Sequence, residues 1–223
     1  KEIVIEDPAQ GLHIDNWDNV VFTFICVPTD LDGGDDKLSI KIVGQALKRA
    51  KGIPVIRSTI GVDHVTLLSL GYNKKFLHWP EFLRENHWEE DVNNFDIPII
   101  IGGRDDNRRL LIDSILTNDN KIIFECSAHE AALMKMSRNA MLAAKVAQAN
   151  MLYGLCEEYD ANYDLVKAFL IEDGTLGITH WDVPGPDGKL GFGGKCLPKD
   201  TTHYQNLFSE DNLYEDVLKY ARK

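Results

Sequence analysis

The sequence predicts an α/β chain: a parallel sheet covered by helices over residues 1–125, then an all-α unit over 126–223 built around one long central helix. Three observations predict it. Short, apolar, β-rich segments alternate with helical ones up to residue 125, the pattern of a parallel sheet buried on both faces. A proline-free stretch of helix formers begins after residue 127. A Pro/Gly-rich stretch at 180–194 then ends the regular pattern.

In chain order, "EIVIED" (2–7) and "VVFTFICV" (20–27) read as strands. "DKLSIKIVGQALKRA" (36–50) has apolar residues at helical spacing, and "IPVIRST" (53–59) is a strand ending in small polar residues. A helix over 62–71, the segment "KFLHWPEF" (75–82), a strand in 97–103, a helix over 104–118 and a strand at 121–125 complete the first half. "SAHE" at 127–130 is a capping box, in which Ser127 accepts from the backbone of Glu130 while that side chain reaches back. The helix it opens runs to about residue 159, roughly 50 Å at 1.5 Å per residue. A second helix over 162–172 stops at Asp173-Gly174, and short helices over 200–208 and 211–221 close the chain. No internal repeat or low-complexity segment is visible.

Composition narrows the function. The 223 residues carry a net charge of −11, which argues against nucleic acid or an anionic membrane as partner but not against a small anionic ligand in a local positive pocket. No apolar run is long enough to span a bilayer. Cys26 lies in an apolar run and Cys156 in a helical pattern, so both read as buried free thiols of a reducing compartment, the cytoplasm. Cys126 and His129 have a ligand-like spacing, but no second pair completes a zinc site, so no metal is expected.

Five stretches have chemical content. In "GFGGKCLPKD" (191–200), glycines let the backbone approach a ligand, Lys195 and Lys199 favour the thiolate of Cys196, and Asp200 sits where a helix cap is common. An idle thiol on a glycine turn explains the stretch equally well when it is taken alone. Lys135 and Asn139, four apart, share a helix face and are either solvated or a cation and a donor aimed at an oxyanion. "VPT" (27–29) and "RST" (57–59) end strands, where parallel sheets place ligands; Thr29 and Thr59 are cofactor or water contacts, or helix caps. "PEFLRE" (80–85) carries Glu81 and Glu85.

In this order the five stretches resemble the nucleotide-sugar dehydrogenases, from about residue 20 to about 203, with "GFGGKCLPKD" the most specific part. The resemblance implies a partial Rossmann-like domain over 1–125 and a helical dimerisation domain over 126–223 that carries the catalytic cysteine. It implies a four-electron oxidation of a nucleotide-sugar primary alcohol to the uronic acid by NAD. In that scheme Cys196 holds the aldehyde as a thiohemiacetal and then a thioester. Lys135 and Asn139 stabilise the oxyanion, Asp200 helps with protons beside Cys196, and Glu81 and Thr59 handle water and protons. Phe82, Leu83, Arg84 and Gly191, Phe192, Gly193 and Gly194 would line the sugar-nucleotide pocket. Asp7, Val27, Pro28, Thr29, Ser58 and Glu85 would meet NAD. The implied assembly is a homodimer through the helix at 127–159.

The sequence departs from the family's pattern in places. No G-x-G-x-x-G turn is present, and "KEIVIEDP" resembles the family's second strand, so a chain starting some 30 residues inside the first unit is expected. The family's second nucleotide-binding unit is likewise expected to be missing from this short form. "TLG" (175–177) stands for the family's "RIG", and Trp79 for an asparagine. Two other functions remain open: a non-catalytic sugar-nucleotide-binding or dimerising module, and a relative that makes one hydride transfer to a 3-hydroxy acid.

Overall fold

The computed structural model describes residues 2–32, 37–83, 88–93, 98–116, 122–210 and 212–222. Short apolar segments form five strands: β1 (Phe22–Ile25), β2 (Ile53–Ile56), β3 (Leu77–His78), β4 (Ile99–Gly102) and β5 (Ile123–Cys126). They lie in sheet order β1-β2-β3-β4-β5. β1–β2, β2–β3 and β4–β5 are parallel, while β3 meets β4 antiparallel at His78 opposite Gly102. The sheet is therefore mostly, not wholly, parallel.

Between the strands run α1 (Lys41–Arg49), α2 (Val62–Tyr72), α3 (Trp88–Asn93) and α4 (Asp105–Ile115). Alternation along β2 sorts the core into two layers, because successive side chains leave opposite faces of a strand. Ile56 packs with Ile25, Val43, Leu47 and Leu68 under α1 and α2. Val55 packs with Leu77, Ile101 and Leu111 under α4. Both faces are covered, as continuous apolar strands require.

The helical half follows at once. Helix α5 (Ala128–Glu158) is 31 residues long, about 46 Å at 1.5 Å per residue. The expected capping box opens it: the Ser127 N–H donates to Glu130 Oε2 at 2.7 Å, and the Glu130 N–H donates to Ser127 Oγ at 3.2 Å. Its buried stripe is mostly alanine (Ala131, Ala132, Ala140, Ala143, Ala147), so neighbours pack close to its backbone. Helix α6 (Tyr163–Glu172) stops before Gly174 at φ 74°. Helices α7 (Leu197–Gln205) and α8 (Leu213–Leu218) return against α5, and Phe192 fills the gap between Ala143, Ala147 and Val217.

Four expectations are corrected. Residues 2–7 form no strand. A strand needs a ladder of partners, and among the described residues only Asp7 finds one, a single bridge to Leu12; Ile3, Val4 and Ile5 are exposed, and a 3₁₀ turn follows at Pro8–Gln10. The helix expected from 36 begins at Lys41, because Leu38 is held instead in a bridge to Leu31. The helix expected from Asp200 begins at Leu197, with Pro198 fixing its first turn and Cys196 at the cap. Cys26 is exposed, because β1 is an edge strand and only alternate residues reach the core; Cys156 is buried, and all four cysteines are free thiols.

Candidate active site

Lys135 and Asn139 are neighbours on α5 and both are buried, 6% and 3% exposed. They face the first turn of α7. There Asp200 is fully buried and its carboxylate takes two donors: Asn139 Nδ2 at 2.7 Å on one oxygen and Lys199 Nζ at 2.7 Å on the other. Cys196 stands exposed at the cap of the same helix. Burial pushes the Lys135 ammonium below the usual lysine range, and the nearness of Asp200 and Cys196 acts against that shift. Those two groups are therefore near enough to be felt.

The other wall is the segment after β3. Lys135 Nζ donates to the Glu81 carbonyl. Glu81 Oε1 accepts the N–H groups of Phe82 and Leu83, both at 2.7 Å, and its other oxygen is paired with Arg57. Arg57 in turn lies 4.4 Å over the Trp79 ring, and Phe82 carries Lys135 at 5.1 Å and Arg138 at 5.4 Å. Both carboxylate oxygens of Glu81 are thus committed, so in this arrangement Glu81 organises the loop rather than standing free as a base.

The expected residues divide into groups. Cys196, Lys135, Asn139, Asp200 and Glu81 converge. Thr59 is half-buried at the end of β2, beside Arg57 and Ser58. Ser58 Oγ accepts the Val27 N–H at 2.8 Å and donates to the Val27 carbonyl at 2.7 Å, stitching the ends of β1 and β2; Thr29 is buried just beyond and Pro28 is exposed. Arg84 and Glu85 lie outside the described residues. Asp200 is not a helix cap but a buried anchor inside the turn. Asp7 does not end a strand: its carboxylate accepts from Ala9 N at 3.1 Å and Gln10 Nε2 at 2.8 Å, a local cap.

Nor does Phe192 line a pocket. Its ring is 2% exposed, and its N–H and carbonyl pair with Tyr220 and Arg222. Gly191 is half-buried at φ 72°, and a Cβ there would lie 2.2 Å from the Tyr220 carbonyl, so this loop is glycine for close approach. Gly193 is half-buried and Gly194 exposed, leaving their backbone as the open part of the loop.

Sequence reasoning noted Trp79 only as standing where the family has an asparagine, and Arg57 only as the start of "RST"; it did not foresee that Arg57 stacks on Trp79 and pairs with Glu81. It also missed a cluster of Asp63, His64 and His203, whose ligand atoms lie within 4.8 Å of one another although no metal site was expected. Cys126 and His129 do not join it; His129 Nε2 meets Thr66 Oγ1 at 3.0 Å.

Residues 129–223 match the UDP-glucose/GDP-mannose dehydrogenase family, central domain. This match covers the helical half of the chain. Among curated relatives, a UDP-glucose 6-dehydrogenase of Campylobacter jejuni is 28% identical over 211 residues, covering 90% of this chain and 51% of the relative. One from Rhizobium meliloti is 32% identical over 152 residues, 66% of this chain and 31% of the relative. A solved UDP-glucose dehydrogenase from Pyrobaculum islandicum superposes with a TM-score of 0.78 at 26% identity, covering 89% of this chain and 49% of that one. The chain spans between about a third and about half of the length of these proteins.

His78, at the end of β3, is fully buried between site elements, and burial pushes its pKa down to about 4. The unfolded side chain binds its proton near 6.5, so between pH 6.5 and 4 the unfolded state holds more protons and stability falls as pH falls. In urea titrations, His78→Leu is expected to remove about 2 kcal/mol of the stability lost between pH 7 and pH 5. An unchanged pH dependence would contradict a neutral buried imidazole.

Proposed function

We propose that this chain carries the covalent machinery of a nucleotide-sugar dehydrogenase that oxidises a sugar primary alcohol to the carboxylate. The observation behind this reading is the polar cluster of Lys135, Asn139, Lys199 and Asp200 beside an exposed Cys196, in a chain whose relatives are named UDP-glucose 6-dehydrogenases.

An alcohol-to-acid oxidation passes through an aldehyde, and a thiolate retains it by adding to the carbonyl carbon. Cys196 forms that C–S bond, giving a thiohemiacetal. The Lys135 ammonium spends one N–H on the Glu81 carbonyl and keeps two for the developing alkoxide. The Asn139 amide spends one on Asp200 and keeps one. Held in place before the reaction, these donors stabilise charge as it forms. Once the adduct is at the thioester level, water attacks the acyl carbon, the C–S bond breaks, and the thiolate leaves with the same donors facing the tetrahedral oxyanion. Asp200 positions Asn139 and Lys199 throughout.

NAD is the proposed hydride acceptor of the whole protein. The described residues do not by themselves complete a dinucleotide site: Asp7 is committed to its own turn, and no glycine turn cradles a pyrophosphate among them.

A homodimer through α5 is also proposed. Met141 and Leu155 on α5 are 62% and 52% exposed, and Leu165 and Phe169 on α6 are 71% and 69% exposed. An apolar surface of this kind favours burial against a second copy. In sedimentation equilibrium a dimer is expected, and Leu155→Glu with Phe169→Glu is expected to give monomer. A monomeric wild type would end this part of the proposal.

With UDP-glucose and NAD⁺, turnover is expected to yield two NADH per sugar. Cys196→Ala is expected to lower the rate at least about 10³-fold, and Lys135→Met by roughly 10²–10³-fold. One NADH per sugar, or unimpaired turnover without the thiol, would contradict the covalent scheme.

A further inference from the structure

Three groups from distant parts of the chain meet at the junction of the sheet half and the helical half. Asp63 and His64 open α2, and His203 lies on α7, one turn beyond Asp200. His203 is fully buried and His64 is 4% exposed, with their rings 4.7 Å apart. Gly61 is also shaped to this contact: a Cβ there would come within 1.9 Å of His203 Nε2.

Three ligand-type side chains so close invite a metal, but the hydrogen bonds assign the ring nitrogens another use. The Leu38 N–H points at His203 Nδ1 at 3.2 Å, and the Gly61 N–H points at His64 Nδ1 at 3.2 Å. Both Nδ1 atoms must therefore hold lone pairs, and the proton of each neutral ring sits on Nε2. Both Nε2 atoms face one carboxylate: His203 Nε2 is 3.2 Å from Asp63 Oδ1, and His64 Nε2 is 3.8 Å from Asp63 Oδ2. A metal-bound histidine needs the opposite polarity, with the metal on one nitrogen and an N–H donated outward from the other.

We propose that Asp63, His64 and His203 form a clasp, with the Asp63 carboxylate accepting from the His203 Nε2–H and the His64 Nε2–H set beside it at 3.8 Å, that fixes α7 and so positions Asp200 against Asn139. They act through Asp200 and are positioning residues. His203 ties the Leu38 backbone, the start of α2 and the first turns of α7 into one unit. Asp200, three residues earlier on the same helix, is thereby held where its two oxygens meet Asn139 and Lys199. Burial lowers the His64 pKa to about 4, and His203 and Lys37 lower it further against the raising effect of Asp63; burial raises the Asp63 pKa, but the His203 hydrogen bond and the two nearby imidazoles outweigh it and hold it at about 2. The His64–Asp63 arm of the clasp thus keeps its protonation pattern at neutral pH.

The inference rests on Asp200 and Asn139 forming the site, but its test needs no turnover. With the 223-residue chain labelled with ¹⁵N, His64 and His203 are expected as Nε2–H tautomers at pH 7, and the Asn139 side-chain amide is expected to exchange slowly with solvent. In His203→Ala that exchange should quicken at least tenfold. His203→Gln, which offers a donor toward Asp63 and an acceptor toward Leu38, should restore most of the protection. Asp63→Asn, which keeps the shape but not both acceptors, should fall between. Nδ1–H tautomers, stoichiometric zinc uptake in calorimetry with a shift of both ring signals, or unchanged Asn139 exchange in a folded His203→Ala protein would each overturn the proposal.

Discussion

A buried carboxylate must find its partners within the protein. Asp200 finds them in Asn139 on the long helix and Lys199 on its own helix. The arrangement of the helical half follows from satisfying that charge. α7 must present its first turn to α5, which places Cys196 at the mouth of the same cluster. α5 must offer an amide and a lysine from a face that is otherwise alanine and methionine. Its alanines matter for that reason, since small side chains let the two helices approach closely enough for an asparagine to span the gap.

The second wall of the site is built from the sheet by a related device. Glu81 is held by two backbone N–H groups and by Arg57, and its own carbonyl receives Lys135. Arg57 is flattened onto Trp79. The loop after β3 is thus rigid because its charges are paired internally, and it supplies the surface against which the lysine is set. For chemistry that depends on donors fixed before charge develops, such pairing is more useful than free, solvated groups.

Much of this was legible in the sequence, and the reasons are local. Continuous apolar strands, the Ser127–Glu130 box and the break at Asp173-Gly174 are written in neighbouring residues, so β1, β2, β4, β5, α5 and α6 could be placed. Lys135 and Asn139 share a helix face by spacing alone. What could not be read depends on distant partners. "EIVIED" has strand composition, but a ladder needs a second strand. Phe192 sits in a glycine loop yet is core, because α8 returns to cover it. Asp200 looked like a cap because prolines and acids mark helix starts; only the packing of α7 on α5 shows it buried. His203 lies 140 residues from Asp63, and the three groups carry no mutual signal in one sequence.

The central claim is that Asp200 and Asn139 are energetically joined across α5 and α7. A double-mutant cycle of Asp200→Ala and Asn139→Ala, followed by urea unfolding, measures that bond most directly. The account expects a coupling of at least about 1 kcal/mol. A coupling within about 0.3 kcal/mol of zero would mean that the two side chains do not depend on each other, and the site would lose its foundation.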